Sequence, residues 1–337
     1  MIRRGLFSLV PLLVLLVAFE GIVRLVWEPP PRPKELDLEM VPHPSRLWAL
    51  NRNATAYAVN DQQLRAVPDT GAAYRAFTLG DSSIFGHGLD DAETLHIQLG
   101  QALAARGTPT DVFCGGVPGY STEQSMVVLD EVGWGLDPDL LMIGNLWSDN
   151  NFDNFVDAEW MAELSLPSRK VDYALLRFQS WQLLRRARHP DLPTGGLPVG
   201  WIRDPTEPEH GRRRVPLTDY AANLDNMLAD AADRGVGVVL LMPCNRERLR
   251  MDGRGIAAWD IYFETMRQVG ERRAVPVVDA CDALRPTELR GDAAFLDSMH
   301  PTGATNAVYA EALTDALVAS GWPERPVPDA TPARLTK

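Results

Sequence analysis

The sequence predicts an α/β protein whose five-stranded parallel sheet carries helices on both faces. Short apolar runs that suit buried strands alternate along the chain with longer segments that suit helices. Strands separated by helical crossovers pair in parallel, so the repeated alternation predicts a parallel sheet. With 337 residues, of which 45% are hydrophobic, the chain can bury one core and still carry an insertion.

Each predicted element follows from a local pattern. The predicted strands are the apolar runs at 73–79, 110–114, 139–146, 236–242 and 275–278. The predicted helices occupy 93–106, 121–132, 218–234, 257–269 and 305–320. The first of these helices places Leu95, Leu99 and Leu103 on one face, and Ser121 or Thr122 can cap the second.

The chain is predicted to have four parts. They are a membrane anchor at 1–28, a linker with a small lead-in at 29–70, the α/β domain at 71–322 and a proline-rich tail at 323–337. Residues 151–214 interrupt the alternation and are predicted as an insertion, helical over 171–188, that emerges at the carboxyl edge of the sheet. Its aromatic residues either line a substrate subsite or pack the insertion onto the domain; they are Phe152, Phe155, Trp160, Tyr173, Phe178, Trp181 and Trp201.

The first 28 residues have the pattern of a targeting segment. Arg3 and Arg4 precede an apolar run over 5–27, which is long enough to span a bilayer if Glu20 and Arg24 pair one helical turn apart. A cleaved signal peptide is the alternative, but no Ala-x-Ala-like site precedes the proline cluster. We therefore expect an uncleaved anchor with a cytoplasmic N-terminus and the rest of the chain outside the cytoplasm.

A glycine-aspartate-serine turn follows the first predicted strand. Gly80 allows a sharp turn that leaves Ser82 at the carboxyl edge of the sheet, where open α/β sheets bind ligands. A hydroxyl there lies close to helix N-terminal N–H groups that can hold negative charge. Taken alone, Gly-Asp-Ser is also typical of an ordinary turn or helix cap.

A second polar stretch lies just before the last predicted helix. Asp297 and His300 are three residues apart, and Pro301 can open the helix. At this spacing a carboxylate can hold one imidazole nitrogen while the other faces outward. Together with Ser82, these residues are a candidate Ser-His-Asp triad.

The two stretches resemble sequence blocks of the SGNH (GDSL-type) serine hydrolases, in their membrane-anchored bacterial type. That family has Gly-Asp-Ser after its first strand and Asp-x-x-His-Pro near its end. The resemblance covers roughly 41–150 and 215–320 and implies a flavodoxin-like fold. It also implies that Ser82 is the nucleophile, His300 the general base and Asp297 the residue that orients the imidazole.

The glycine-rich stretch 115–122 is similar to the family's second block. There the resemblance implies that the backbone N–H of Gly119 binds a tetrahedral oxyanion together with the N–H of Ser82. Glycine lets the backbone approach the substrate closely. Taken alone, the stretch is a glycine-rich turn before a helix, and it lacks the Gly-x-Gly-x-x-Gly pattern of dinucleotide sites.

The third block departs from the family pattern, which is Gly-x-Asn-Asp after the third strand with the Asn side chain completing the oxyanion hole. Counting from the start of the strand places Ser148 where the family has this asparagine, with Asn150 as the fallback. The alternative, Asn145, would put the donor about 10 Å deeper in the strand. We therefore expect the Ser148 hydroxyl to point into the crevice and Asn145 to lie buried in the sheet.

Charge and histidine placement bear on partners and cofactors. A net charge of −12 argues against nucleic-acid binding, which relies on basic patches. No His, Asp or Glu cluster has metal-ligand spacing, so we expect no metal and no cofactor. His87 lies five residues beyond Ser82, at the expected crevice rim. The other histidines are scattered; they are His43, His96, His189 and His210.

The three cysteines leave two possibilities. Cys244 follows the fourth predicted strand and Cys281 the fifth, so neighbouring strands would bring both thiols to one edge of the sheet. In an oxidising compartment they could form a bridge and leave Cys114 free. Of the two possibilities, we expect three free, buried thiols.

The resemblance implies cleavage of a carboxylic ester, with an O-acyl group on a glycan or a small lipid as substrate, and the predicted anchor places this reaction outside the cytoplasm. One alternative is an O-acyltransferase acting on an exported polysaccharide, because a sugar hydroxyl can replace water in the same mechanism. The other alternative is a non-catalytic glycan-binding or assembly protein of the same fold. The expected partners are an ester substrate and, through the N-terminal helix, a membrane.

Overall fold

The computed structural model of the chain describes residues 2–27, 40–153, 155–188, 211–250 and 257–324. Its helices are α1 (Ile2–Val26), α2 (Ser82–Phe85), α3 (Leu95–Ala105), α4 (Thr122–Val128), α5 (Trp147–Asn150), α6 (Asp157–Ser165), α7 (Pro167–Leu175), α8 (Gln179–Arg188), α9 (Leu217–Asp233), α10 (Arg246–Arg250), α11 (Ala257–Arg273), α12 (Ala280–Leu284) and α13 (Gly303–Ser320). Its strands are β1 (Met40–His43), β2 (Leu47–Leu50), β3 (Tyr74–Leu79), β4 (Thr110–Cys114), β5 (Leu140–Ile143), β6 (Phe152–Asp153), β7 (Arg212–Arg213), β8 (Gly237–Met242) and β9 (Val277–Asp279).

Five strands form one sheet in the order β4-β3-β5-β8-β9, and every neighbouring pair is parallel. Helices cover both faces. α3 and α13 pack against the face that carries Ala76, Met142 and Leu241. α11 lies on the other face, where Gly270 approaches Leu240 and Val277 so closely that a Cβ atom would clash with Val277. The predicted α/β class and five-stranded parallel sheet are confirmed.

The third strand is shorter than predicted, because β5 ends at Ile143 instead of residue 146. The N–H of Gly144 still donates to the Leu79 carbonyl at 2.8 Å, and the chain then turns into α5. A Cβ atom on Gly144 would lie 2.6 Å from the Ile84 side chain. The chain just beyond the strand is therefore packed against α2 at Gly144.

The chain divides into two compact units, Leu50–Trp160 with Ile202–Lys337, and Met1–Ala49 with Met161–Trp201. The first unit contains the five-stranded sheet and all the predicted site residues. The second unit contains α1, α7 and α8. Within it, the Glu20 carboxylate on α1 accepts hydrogen bonds from the N–H groups of Gln179 and Ser180 at the start of α8. The predicted pairing of Glu20 with Arg24 is present at 2.7 Å.

The N-terminal segment forms the helix α1, over most of the range predicted as a membrane anchor. Within the residues that the structure describes, however, no helix has both the length and the apolar character needed to cross a membrane. The predicted transmembrane helix is therefore not supported.

Among the described residues the insertion contains α6, α7 and α8, and the last two lie where the sequence predicts a single helix over 171–188. The chain turns between them, and Asp172 of α7 accepts a hydrogen bond from the indole N–H of Trp181 of α8 at 2.7 Å. This contact requires the two helices to fold back on one another. The insertion returns through β7, which pairs antiparallel with β6.

The aromatic side chains of the insertion are only partly described. Phe152 and Phe155 are buried, with the Arg213 guanidinium over the Phe152 ring at 4.6 Å and Trp160 against Phe155 at 5.0 Å. These contacts favour packing over a substrate subsite for this part of the insertion. Trp201, His189, His210 and the tail beyond residue 324 lie outside the described residues.

A disulfide joins Cys244, which follows β8, to Cys281 of α12, with their Cα atoms 4.9 Å apart. The expectation of three free thiols is therefore wrong. The adjacent strands β8 and β9 bring both cysteines to the carboxyl edge of the sheet. Cys114 is free and buried, and burial raises the pKa of its thiol to about 11.

Candidate active site

In the turn after β3, the Ser82 hydroxyl makes no hydrogen bond that caps the helix. Gly80 is required there, because a Cβ atom would lie 2.2 Å from the Ile84 side chain. The helix cap is Asp81, whose carboxylate accepts a hydrogen bond from the Ser83 N–H at 3.0 Å. Ser82 is the first residue of α2. Within Gly-Asp-Ser, Asp81 is therefore the residue that caps the helix, and Ser82 is not.

The structure brings Ser82, His300 and Asp297 together in one hydrogen-bonded series. His300 Nε2 lies 2.8 Å from Ser82 Oγ, and His300 Nδ1 lies 2.6 Å from Asp297 Oδ2. With the proton on Nδ1, this nitrogen donates to the carboxylate and Nε2 accepts from the serine hydroxyl. The arrangement is the one in which a histidine can remove a proton from serine.

Asp297 is held in place by its own loop. Its second oxygen, Oδ1, accepts the N–H groups of Met299 and His300, each at 2.8 Å. Burial raises the pKa of Asp297, but the hydrogen bonds from the His300 ring and these two N–H groups outweigh it, so the pKa lies well below its usual range. The carboxylate therefore stays ionised across the physiological pH range.

The loop that carries Asp297 and His300 is a closed turn. Phe295 and Pro301 form an antiparallel bridge, and the Leu296 N–H donates to the His300 carbonyl at 2.8 Å. Helix α13 begins two residues after Pro301, and Thr302 is its cap. The cap fixes the end of the loop and with it the position of the imidazole.

A second histidine, His87, contacts the candidate base. The ring centroids of His87 and His300 are 4.6 Å apart. Burial and the neighbouring His300 lower the pKa of His87, although the Asp297 charge opposes them. Its position at the crevice agrees with the expectation from the sequence, but the contact with His300 was not foreseen, because the two residues are far apart in the chain.

Asp81 links the nucleophile turn to the segment after β5. Its carboxylate is fully buried, and burial raises its pKa to about 6. The N–H of Ser83, the charge of His300 and the N–H groups of Ser148 and Trp147 oppose this rise. The start of α5 therefore faces the turn that carries Ser82.

The predicted oxyanion glycine lies in a turn that packs against α2. The Val117 N–H donates to the Gly80 carbonyl at 3.2 Å, which ties this turn to the nucleophile turn. Gly119 has a left-handed φ of 78°, a conformation that favours glycine. The hydrogen bonds among the described residues do not use the Gly119 N–H. This N–H is therefore available to a bound group.

The three candidates for the side-chain oxyanion donor differ in their surroundings. Ser148 lies in α5, is 4% exposed, and its hydroxyl makes no hydrogen bond to the described residues. Asn145 is fully buried just beyond β5, and its amide donates to the Tyr120 carbonyl at 3.4 Å. The Asn150 side-chain oxygen is bound by Arg213. The Asn145 amide nitrogen thus has a partner, whereas the Ser148 hydroxyl and the buried amide nitrogen of Asn150 make no hydrogen bond to the described residues.

Asp149 and its neighbours form a buried polar cluster behind the site. Asp149 Oδ1 accepts hydrogen bonds from the N–H and the hydroxyl of Thr122, at 2.8 and 2.5 Å. Burial and the charge of Asp157 raise the pKa of Asp149 to about 8, against the hydrogen bonds of Thr122 and the charge of Arg214. Asp149 is therefore largely protonated near neutral pH.

A buried ion pair from the two ends of the insertion holds the Gly119 turn. Arg214 and Asp157 have side chains that are 1% and 0% exposed and contact each other at 2.7 Å. Arg214 Nη1 also donates to the Gly119 carbonyl at 2.8 Å, and the Ser121 hydroxyl donates to Asp157 at 2.6 Å. This role could not be predicted, because residues 151–214 have no counterpart in the sequence pattern that the chain resembles.

In the described part of the chain, no three His, Cys, Asp or Glu side chains are grouped closely enough to hold a metal ion. The site described above contains hydroxyl, imidazole, carboxylate and backbone N–H groups, which can perform acyl transfer by themselves.

The chain matches no family model and no curated protein. Among solved structures it is similar to an alpha/beta hydrolase enzyme from the metagenome of Lake Arreo, with 20% identity, 73% of this chain and 95% of that chain covered, and a TM-score of 0.47. A lipase/acylhydrolase from Enterococcus faecalis has 17% identity, 73% and 96% coverage and a TM-score of 0.45. An acetylxylan esterase from Geobacillus stearothermophilus has 15% identity, 73% and 94% coverage and a TM-score of 0.46. Likenesses this distant do not assign the chain to a family.

Proposed function

We propose that the protein is an SGNH-type serine hydrolase that cleaves a carboxylic ester, with an O-acyl group on a glycan or a small lipid as the substrate. The observation that carries the proposal is the continuous series from Asp297 through His300 to Ser82, with contacts of 2.6 and 2.8 Å. The series connects two stretches that are 218 residues apart in the chain. Structural packing alone does not require such a series.

In the proposed mechanism, His300 Nε2 takes the proton of Ser82 as its Oγ forms a bond to the ester carbonyl carbon. The N–H groups of Ser82 and Gly119 and the Ser148 hydroxyl stabilise the negative charge on the carbonyl oxygen. The bond to the alcohol then breaks, and the imidazolium donates its proton to the departing oxygen. Water, deprotonated by His300, attacks the acyl-enzyme and releases the carboxylic acid and free Ser82.

We propose further that the hydrolase domain works outside the cytoplasm. The Cys244–Cys281 disulfide supports this location, because disulfides persist mainly in oxidising compartments. The cytoplasmic position of the N-terminus stays a prediction.

Labelling with a fluorophosphonate probe tests the proposal. Such probes react with a serine whose hydroxyl is activated by a neighbouring base. We expect labelling of the wild type at Ser82, loss of labelling in Ser82→Ala, and retention in Ser83→Ala. A folded wild type that is not labelled would favour the non-catalytic glycan-binding alternative.

A further inference from the structure

We propose that a cavity beside the catalytic loop binds an anionic group of the substrate. The inference rests on the proposed ester hydrolysis and narrows its substrate to a glycan that carries a carboxylate or a phosphate. The cavity has a volume of about 780 Å³, and Arg246, Arg250, Arg285, Arg290 and Glu247 contribute to its lining. Four arginines against one glutamate are notable in a chain whose net charge is −12.

The positive charge of this cavity is only partly compensated by ion pairs. Arg246 pairs with Asp292 at 2.6 Å, and Arg285 pairs with Asp282. Arg290 donates hydrogen bonds to backbone carbonyls, which leave its charge in place. Arg250 forms no ion pair or hydrogen bond with the described residues through its side chain and is exposed. With Arg246 and Arg285 paired and Glu247 set against Arg250 and Arg290, the described lining residues retain a net positive charge.

Several guanidinium donors in the lining are unused. Arg246 Nε and both Nε and Nη2 of Arg285 are shielded from solvent and make no hydrogen bond to the described part of the chain. Buried donors are ordinarily satisfied, and guanidinium groups bind oxyanions most strongly when two N–H groups act together. These three nitrogens are shielded from solvent, so an anion in the cavity does not contact them directly. The donors within its reach are those of Arg250, whose side chain is exposed.

The cavity is in direct contact with the loop of the candidate triad. Ser298 lines it, one residue after Asp297 and two residues before His300. Consecutive Cα atoms are about 3.8 Å apart, so the Cα atoms of Ser298 and His300 are within about 8 Å. Arg246 holds the same loop, because its backbone N–H donates to the Ser298 carbonyl at 3.0 Å and its Nη2 donates to the Phe295 carbonyl at 2.7 Å. An anion in the cavity therefore lies next to the segment that positions the base.

This arrangement fits an acylated glycan that also carries an anionic group. The planar guanidinium groups suit a uronate carboxylate and a sugar phosphate equally well. A neutral acylated glycan lacks the group that the arginines bind. We therefore expect the enzyme to prefer acylated acidic glycans over neutral ones, and the preference to weaken as ionic strength rises.

Calorimetric binding to the full chain tests the site independently of catalysis. The probes are cellotetraose, its C6-oxidised uronate form and its C6-phosphorylated form, which differ only in the group at C6. We expect at least one of the two anionic tetramers to bind about tenfold more tightly than cellotetraose, and the variant Arg250→Gln/Arg285→Gln to lose this difference. Which anionic tetramer binds identifies the carboxylate or the phosphate as the recognised group.

The matched control is Arg106→Gln. Arg106 is an exposed arginine that follows the last residue of α3, in the loop that leads to β4, and it does not line the cavity. This variant is expected to bind all three tetramers as the wild type does. Equal binding of neutral and anionic tetramers by the wild type, or an unchanged preference in the double variant, would overturn the inference.

Hydrolysis of acetylated forms of the same tetramers separates this inference from the proposed function. The double variant should lose about tenfold more kcat/KM on the acetylated anionic tetramer than on the acetylated neutral one. If the wild type binds anionic tetramers selectively but hydrolyses no ester, the hydrolase proposal fails and the anion site stands. If it hydrolyses esters without selective binding, the anion site fails and the hydrolase proposal stands.

Discussion

At the scale of single residues, the candidate site depends on a division of roles between neighbours in the Gly80-Asp81-Ser82 turn. Asp81 caps α2 through the Ser83 N–H, so the Ser82 hydroxyl can contact His300 instead. Gly80 makes the turn possible, because any side chain there would collide with Ile84. A serine placed in this way is exposed to substrate and to its base without competing hydrogen bonds.

The Ser148 hydroxyl is the residue-scale feature most open to test. Loss of one oxyanion donor costs about 10²- to 10³-fold in turnover in other enzymes, and a serine hydroxyl reaches less far and rotates more freely than an asparagine amide. We therefore expect Ser148→Ala to lower kcat by at least about tenfold with little change in KM. Steady-state kinetics with a chromogenic ester measures both constants.

Asn150→Ala is the comparison for Ser148→Ala. Arg213 binds the side-chain oxygen of Asn150, whereas the buried amide nitrogen of Asn150 has no partner among the described residues and is the alternative donor. A silent Ser148→Ala together with a severe loss of kcat in Asn150→Ala would show that Asn150 is the donor. If neither substitution changes kcat, the oxyanion is stabilised by backbone N–H groups alone.

Arg214 is expected to act as a positioning residue for Gly119. Arg214→Lys keeps the charge. Lysine lacks the planar fork of donors, however, so it cannot donate hydrogen bonds to Asp157, Gln124 and the Gly119 carbonyl at the same time. We expect kcat to fall by about tenfold or more while KM changes little, since the substrate contacts themselves remain. Circular dichroism on the same sample verifies folding, and a folded Arg214→Lys protein with wild-type kcat would contradict this role.

At the scale of secondary-structure elements, the strand order brings together loops that are distant in the chain. The loop after β3 supplies Ser82, the loop after β4 supplies Gly119 and the segment after β5 supplies Ser148. These three strands are adjacent in the sheet, so their carboxyl ends meet at one edge. The sequence allowed this edge to be predicted, because the turn residues follow recognisable apolar runs.

Other parts of the site could not be predicted from the sequence. Arg214 and Asp157 lie near the ends of an insertion without a family pattern, and only the pairing of β6 with β7 brings them to the Gly119 turn. The disulfide likewise depends on β8 and β9 being neighbours, which the order of strands along the chain does not determine. Contacts of this kind depend on three-dimensional packing and leave no local signal.

The Cys244–Cys281 bridge is expected to stabilise the loops after β8 and β9. It closes a segment with a sequence separation of 37 residues, for which loop-closure entropy gives about 3–4 kcal/mol. We expect the double variant Cys244→Ser/Cys281→Ser to lose free energy of unfolding of this order in urea titrations. Reductant should lower the free energy of unfolding of the wild type but not of this variant. An equal decrease in both proteins would argue against the bridge.

At the scale of the whole molecule, buried carboxyl groups should make stability depend on pH. The pKa values of Asp149 and Asp81 are raised to about 8 and about 6 in the folded state, from 3.8. From pH 3.8 up to the raised pKa of each group, the folded protein thus binds more protons than the unfolded chain. Stability is therefore present at low pH and is lost as pH rises from about 4 to about 8, by at most about 1.4 kcal/mol per pH unit for each group.

Asp149 has the larger pKa shift of the two carboxyl groups and so the larger share of the pH dependence of stability. Asp149→Asn tests this share, because the amide keeps the shape of the side chain but cannot ionise. We expect the wild type to be less stable at pH 8.5 than at pH 5.5, and the difference to shrink in Asp149→Asn. Asp297 does not interfere, because its lowered pKa contributes stability that is lost only in more acidic solution. Urea unfolding at the two pH values measures the difference, and a wild type that is more stable at pH 8.5 would contradict the prediction.

The most direct test of the proposed hydrolase is the rate of p-nitrophenyl acetate hydrolysis by the wild type, Ser82→Ala and Ser83→Ala. Ser83 is a matched control, because its hydroxyl makes no hydrogen bond among the described residues and its N–H, which reaches Asp81, survives the substitution. We expect Ser82→Ala to lose at least about a thousandfold in kcat, and Ser83→Ala to retain most of its activity. Equal rates for the wild type and Ser82→Ala would contradict the assignment of Ser82 as the nucleophile.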